Sequence, residues 1–251
     1  MARNFNGTSD RIDFPDHSGL DWSTVMSVAC WVWRDVGNAF HSLCGHTAGT
    51  VGANGWWFSI ADNAFSNAAY LTFNDTDYFG TNTVATGGWR HLTATYDGAN
   101  VRIYLNGTLD GTTATTASVT NAAATFKLGV DASFYGNSWF DGKLADFGFW
   151  PGATLNAREI AALARGVSPR LIRPGSLQLY APLWGTHTAE PDFSVNRRTG
   201  TLTGTSQFAT HAPVIPFTKA PTAPLIEVAP PPPSTTPWFF QQQILRRRRA
   251  A

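Results

Sequence analysis

Apolar and polar residues alternate in short runs through residues 1 to 150, and turns rich in Gly, Asn and Thr separate the runs. MSVACWVWRDV alternates over part of its length and carries β-branched and aromatic residues, which predicts a half-buried strand. Gly55 to Ile60 (GWWFSI), Ala69 to Phe73 (AYLTF) and Trp89 to Tyr96 (WRHLTATY) follow the same period. In VRIYLNGTLDG, the Asn106-Gly107 pair supplies two residues tolerant of positive φ, which predicts a tight hairpin. Phe126 to Val130 (FKLGV) and Gly142 to Trp150 (GKLADFGFW) add two strands, and the turn spacing is that of a two-sheet sandwich. FNDTDYFG reads as a turn.

One helix interrupts the series. Asn156 with Glu159 forms a capping box, Ile160, Leu163 and Ala164 make a short apolar stripe, and Gly166 ends it. Fenced by Pro151 and Pro169, it is expected to plug one end of the sandwich. Strand character returns in SLQLYAPLW and GTLTGTSQF. From Pro213 onward repeated prolines cannot sustain a sheet. Residues 213 to 237 therefore read as a linker, and 238 to 251 as an interaction tail.

Composition supports this reading. Charged residues are only 14% and aromatics 13%, which excludes a long-helix protein and global disorder. The net charge of +1 hides a basic segment after Lys219 and a mildly acidic remainder, so nucleic acid is not an expected partner. Cys30 and Cys44 are too few for a disulfide framework. MARNFNGTSDRIDF has no apolar signal-peptide core, and no apolar run reaches membrane-span length. Synthesis in a reducing cytosol, with both thiols free, is the expectation.

Several segments resemble laminin-G-like, concanavalin A-like lectin/glucanase domains, in family order over residues 4 to 166. FNGTSDRIDFP is similar to the family's opening strand, and MSVACWVW to its F-(T/S)-(V/I)-x-x-W-(V/I) strand. WRHLTATYDGANVRIYLNGTLDG resembles its W-x-H core, and LGVDASFYGNSWFDGKLADFGFWPGATLNAREIAAL its closing strand and helix. The resemblance implies an all-β, antiparallel jelly-roll sandwich. SLQLYAPLWGTHTAEPDFSVNRRTGTLTG resembles the strand that opens many such domains, yet here it comes last. Two readings stay open: 176 to 212 is a circularly permuted closing segment of one domain spanning 1 to 212, or it is the torn start of a second repeat. A lone strand pair cannot bury its apolar face, which favours the first.

Candidate chemistry is sparse. Retaining glucanases on this shape of sandwich carry Glu-x-Asp-x-x-Glu, which sets two carboxylates on one strand face. The only glutamates, Glu159, Glu190 and Glu227, fall on the helix, a loop and the linker, so glycoside hydrolysis is a remote alternative. His41, Cys44 and His46 match no structural zinc spacing. The resemblance implies calcium at a sheet rim, where the oxygen donors are Asp131, Asn137 and Asp141, with Asp75 and Asp77 from a facing loop. Trp56 and Trp57 are adjacent, so in a strand one of them must point away from the core. With Tyr135 and Trp139 in YGNSWF, they are the candidate ligand-binding rings. Trp238, Phe239, Phe240, Ile244, Leu245 and Arg246, Arg247, Arg248, Arg249 are too apolar and too basic for an idle end. They read as a peptide that docks on a partner protein. The combined expectation is a non-catalytic display protein of a larger assembly, such as a bacteriophage virion, homo-oligomeric within it and binding glycan. The alternative is a stand-alone carbohydrate- or protein-binding module.

Overall fold

Among the described residues, fifteen strands and one α-helix realise the period-two pattern. The structure is a computed structural model that describes residues 1–37, 39–48, 55–130, 138–185, 187–208 and 210–214. The strands are β1 (Ala2–Asn6), β2 (Arg11–Phe14), β3 (Met26–Arg34), β4 (His41–Thr47), β5 (Gly55–Ile60), β6 (Ala68–Phe73), β7 (Thr76–Thr83) and β8 (Trp89–Tyr96). There follow β9 (Asn100–Leu105), β10 (Thr108–Ala114), β11 (Phe126–Leu128), β12 (Asp141–Pro151), α1 (Ala157–Leu163), β13 (Leu179–Ala181), β14 (Thr201–Thr203) and β15 (Ser206–Phe208).

The first sheet runs β10-β9-β8-β3-β12-β1-β15, with β13 also paired to β12, and the second runs β14-β2-β11-β4-β5-β6-β7. Every strand pairing is antiparallel. This is a concanavalin A-like jelly-roll sandwich. Trp56, Phe58, Phe73 and Phe126 from the second sheet meet Tyr96, Phe147 and Phe149 from the first, all essentially inaccessible to solvent. Trp56 and Phe149 lie 4.9 Å apart across the layers. Cys30 and Cys44 sit in the same core, where burial pushes both thiols well above their ordinary pKa. Within 176 to 208, β13 pairs with β12, β14 with β2 and β15 with β1, so this segment adds strands to both sheets.

The helix carries the expected capping box at Asn156, but it does not plug an end of the sandwich. Ile160 and Leu163 pack on Ala29, Tyr104 and Trp150. Ala29 and Trp150 alternate with the core residues Val28, Cys30 and Phe149, so α1 covers the outer face of the first sheet. FNDTDYFG is likewise more than a turn. Only Asn74 and Asp75 turn the chain, with φ of 50° and 58°, and β7 begins at Thr76.

Contacts at both flanks of the sandwich join the two sheets. On one flank Asp110 of β10 accepts hydrogen bonds from the amides of Thr81 (3.1 Å) and Asn82 (3.1 Å) of β7, joining the two sheets. The backbones approach so closely that a Cβ on Gly111 would lie 2.5 Å from the Phe79 carbonyl oxygen. On the other flank the chain crosses from β14 to β15 through Gly204, whose φ of 66° is a glycine conformation. No helix among the described residues is long and apolar enough to cross a membrane.

Candidate functional site

The outer face of the second sheet carries a row of aromatic rings. In β5, Trp56, Phe58 and Ile60 point inward, and Trp57 points out. After β5 the Asp62 side chain accepts from the Ala64 amide (3.0 Å) and caps a short 3-10 turn, Asn63–Phe65. Ser66 and Asn67, at φ of 57° and 52°, then reverse the chain into β6. This tight connection pushes Phe65 outward, where it is 49% exposed. Tyr70 of β6 and Phe79 of β7 share the outward side, since Leu71, Phe73 and Tyr78 take the core side.

The rings stack in sequence. Phe65 lies 5.1 Å from Phe79 with planes 6° apart, and Phe79 lies 5.0 Å from Tyr70 at 28°. Phe40, 37% exposed, closes the group at 6.3 Å from Phe65 and 6.5 Å from Tyr70. Trp57 and Ala61 are buried in the same cluster as Tyr70, with Phe79 packed against it. A buried arginine braces the connection from below: Arg34 donates to the Asn67 side-chain oxygen (2.9 Å) and the Val84 carbonyl (2.7 Å). Burial lowers the Arg34 pKa, and burial with the nearby Arg34 lowers that of His41 to about 4. The result is a rigid apolar ledge whose rim carries the amides and carboxylate of Asn63, Asn67 and Asp62, suited to a flat ligand with one apolar face.

The residues singled out from sequence separate. Trp56 is fully buried, with its ring among Trp22, Phe126 and Phe149, so it offers no face to a ligand. Trp57 points out but is only 7% exposed, in one cluster with Ala61 and Tyr70. Trp139 is half-buried beside the start of β4, where the Ser42 amide donates to the Ser138 carbonyl (3.2 Å). That is the same end of the second sheet as Phe40. Tyr135, Asp131 and Asn137 lie outside the described residues, as does the segment from 215 to 251 with its candidate docking residues.

Asp75 and Asp77 cannot share a metal with Asp141. The Asp141 amide donates to His41 at the start of β4 (3.3 Å), whereas Asp75 follows Phe73, which is level with His46 and Thr47 at its other end. Six residue steps separate those ends by roughly 20 Å. Burial, and then the neighbouring Asp35, raise the Asp141 pKa, and Lys143 donates to Asp35 beside it. Among the described residues no three His, Cys, Asp or Glu side chains converge on a metal position. The candidate calcium donors therefore fall at two ends of the sheet, and Asp131 and Asn137, which would join Asp141, lie outside the described residues.

Both described glutamates have structural partners. Glu159 caps α1 and pairs with Arg173 (2.7 Å), and Glu190 is buried against Arg3 (3.0 Å).

Two sheets of this order enclosing an aromatic core define a lectin-like jelly roll. The chain belongs to the Concanavalin A-like lectin/glucanases superfamily, its residues 6–161 matching the Laminin_G_3 family. Comparison with curated proteins gives no match. Among solved structures, the chain is similar to a candidate carbohydrate binding protein from Bacteroides ovatus ATCC 8483, with a TM-score of 0.66 and 20% identity. The likeness covers 85% of this chain and 61% of that one, so the chain spans less than two thirds of that protein. It is also similar to domain 4 of AbnA, a GH43 extracellular arabinanase from Geobacillus stearothermophilus, in complex with arabinotriose. That likeness has a TM-score of 0.51 and 24% identity, covering 65% of this chain and 76% of that domain. The CBM40 of a Ruminococcus gnavus IT-sialidase, bound to α2,3 sialyllactose, matches with a TM-score of 0.50 and 13% identity, over 65% and 98%. These likenesses are of fold.

Proposed function

We propose that the protein is a non-catalytic glycan-binding module, and that the ledge of Phe40, Phe65, Tyr70 and Phe79 is its sugar platform. The observation that carries this reading is the stacked, exposed Phe65 on Phe79 at a well-braced turn. A pyranose has one face of C–H groups that packs on such rings, while its hydroxyls reach the polar rim. The solved likenesses support the class: two of the three described hold an oligosaccharide. The structural commitments of Glu159 and Glu190 support the absence of hydrolysis.

Phe65→Ala and Phe79→Ala test it on a glycan array followed by titration calorimetry against the best neutral hit. A lost ring contact of about 0.5–1.5 kcal/mol corresponds to a drop of a few-fold to about tenfold in affinity. Phe65 is exposed, so its variant keeps the wild-type melting temperature. Unchanged glycan affinity in both variants would refute the platform.

The finer expectation, display on a larger assembly such as a virion through Trp238 to Arg249, concerns residues outside the described ones. Deletion of 238 to 251 is expected to release the protein from its assembly. Co-purification of the shortened chain overturns that role and leaves the glycan-binding module.

A further inference from the structure

We infer that the cavity between Pro169–Leu171 and the loop at 191–199 is a second ligand site, for an anionic saccharide. It lies beyond the family-matched residues 6–161 and shares no residue with the aromatic ledge.

The cavity has a volume of about 770 Å³, and its walls include Arg170, Leu177, Phe193, Val195 and Arg197. The loop forming one wall is held from behind by the side chains of Asp192, Ser194 and Asn196. Asp192 accepts from the amides of Tyr180 (2.9 Å), Ser194 (2.8 Å) and Arg198 (3.1 Å), and from the Ser194 hydroxyl (2.8 Å). Asn196 donates to the carbonyl (2.8 Å) and the side-chain oxygen (2.9 Å) of Gln178. A bridge between Glu190 and Gly200 closes the loop at its base. Such bracing sets the loop before any ligand arrives, so little ordering entropy remains to be lost on binding.

With Asp192, Ser194 and Asn196 turned inward, Phe193, Val195 and Arg197 face solvent. Phe193 is 36% exposed, Val195 63%, and Arg197 is exposed as well. Trp184, also exposed, extends the apolar wall with its ring 5.6 Å from Phe193. Exposed rings and aliphatics of this kind mark an interaction site when they sit on a rigid frame.

Charge then selects the ligand. Arg170 and Arg197 have no ion pair among the described residues, in contrast to Arg173, which Glu159 neutralises. The one carboxylate in the wall, Asp192, is buried with its acceptor positions filled by four hydrogen bonds, so two exposed guanidinium charges stand against one buried negative charge. The cavity thus offers two guanidinium forks beside an apolar wall. Its complement is a ring with one C–H face and a planar or tetrahedral anion, hence a carboxylated or sulfated sugar.

Calorimetry on the full chain tests this with three probes of equal length: a hexuronate oligosaccharide, its sulfated neutral counterpart and the unmodified neutral sugar. At least one acidic probe is expected to bind, about tenfold more weakly after Arg197→Gln or Arg170→Gln, and more weakly as salt rises. Which acidic probe binds identifies the anion. Phe65→Ala is expected to leave this binding unchanged, which separates the cavity from the ledge. Equal affinity for the neutral probe, no loss in either arginine variant, or loss on Phe65→Ala overturns the assignment. Arg197 is exposed, so its variant is expected to melt with the wild type, and a matched melting temperature keeps the comparison valid.

Discussion

Arg3→Ala or Glu190→Ala is expected to lower folding stability by about 3–5 kcal/mol, the usual cost of leaving one member of a buried ion pair alone. The pair is 3.0 Å long, with side-chain exposures of 3% and 0%. Arg3 also donates to the His187 carbonyl (2.8 Å), and Glu190 accepts from the Leu183 amide (2.8 Å). Burial already raises the Glu190 pKa with Arg3 present. Without it, the carboxyl must either take up a proton or remain an uncompensated charge. The pair links β1 to the segment that carries β13, so the loss should appear as one cooperative urea transition at a lower midpoint. An apolar double replacement, Arg3→Met with Glu190→Leu, should recover much of the loss, because it strands no charge. If each single alanine variant lost under about 1 kcal/mol while residues 176 to 212 were clipped early by protease, that segment would not be an integral part of the sandwich.

Acid should weaken the fold before most carboxylates titrate. His91 is fully buried on β8 against Trp31, 5.2 Å away, and burial lowers its pKa to about 3. His41 is lowered to about 4. Both lie below the value of about 6.5 for an unfolded chain. Between those limits the unfolded state binds protons that the folded state refuses, so stability is full above pH 6.5 and falls as pH drops. Each histidine contributes a slope of at most about 1.4 kcal/mol per pH unit, and together they cost several kcal/mol by pH 4. Urea midpoints from pH 6.5 to 5 measure the slope, which the raised carboxyls of Asp146 and Glu190 oppose. His91→Gln should roughly halve the slope. An identical profile in wild type and His91→Gln would mean that burial does not hold that ring neutral.

The strands most legible in the sequence are those whose alternation matches one buried and one outward face. β5, β8 and the β9–β10 hairpin are of this kind, with Asn106 and Gly107 both at positive φ in the turn. β4 was harder to read, because polar His41, Ser42, His46 and Thr47 fill four of its seven buried positions. Tertiary context, not residue preference, makes it a strand. The alternating bias of β7 is hidden by its exposed Thr and Asp positions.

The binding surface was legible only in part. Adjacency required one of Trp56 and Trp57 to face outward, but not which one, and it could not show that the outward Trp57 is nonetheless buried. Phe40, Phe65 and Phe79 are far apart in the chain and meet only through the 3-10 turn and the β6–β7 register. The one local hint was a phenylalanine in the polar stretch DNAFSN. The separation of Asp75 and Asp77 from Asp141 was likewise fixed by register, which no local motif encodes.

The joined flanks have a consequence for crowding. A sandwich with open borders presents unpaired amides and carbonyls to which another copy can add. Here Asp110 and the Gly204 crossing turn the two layers into a nearly continuous band. Along those borders fewer backbone amides and carbonyls are left for a neighbouring strand to pair with than an open-edged sandwich would leave.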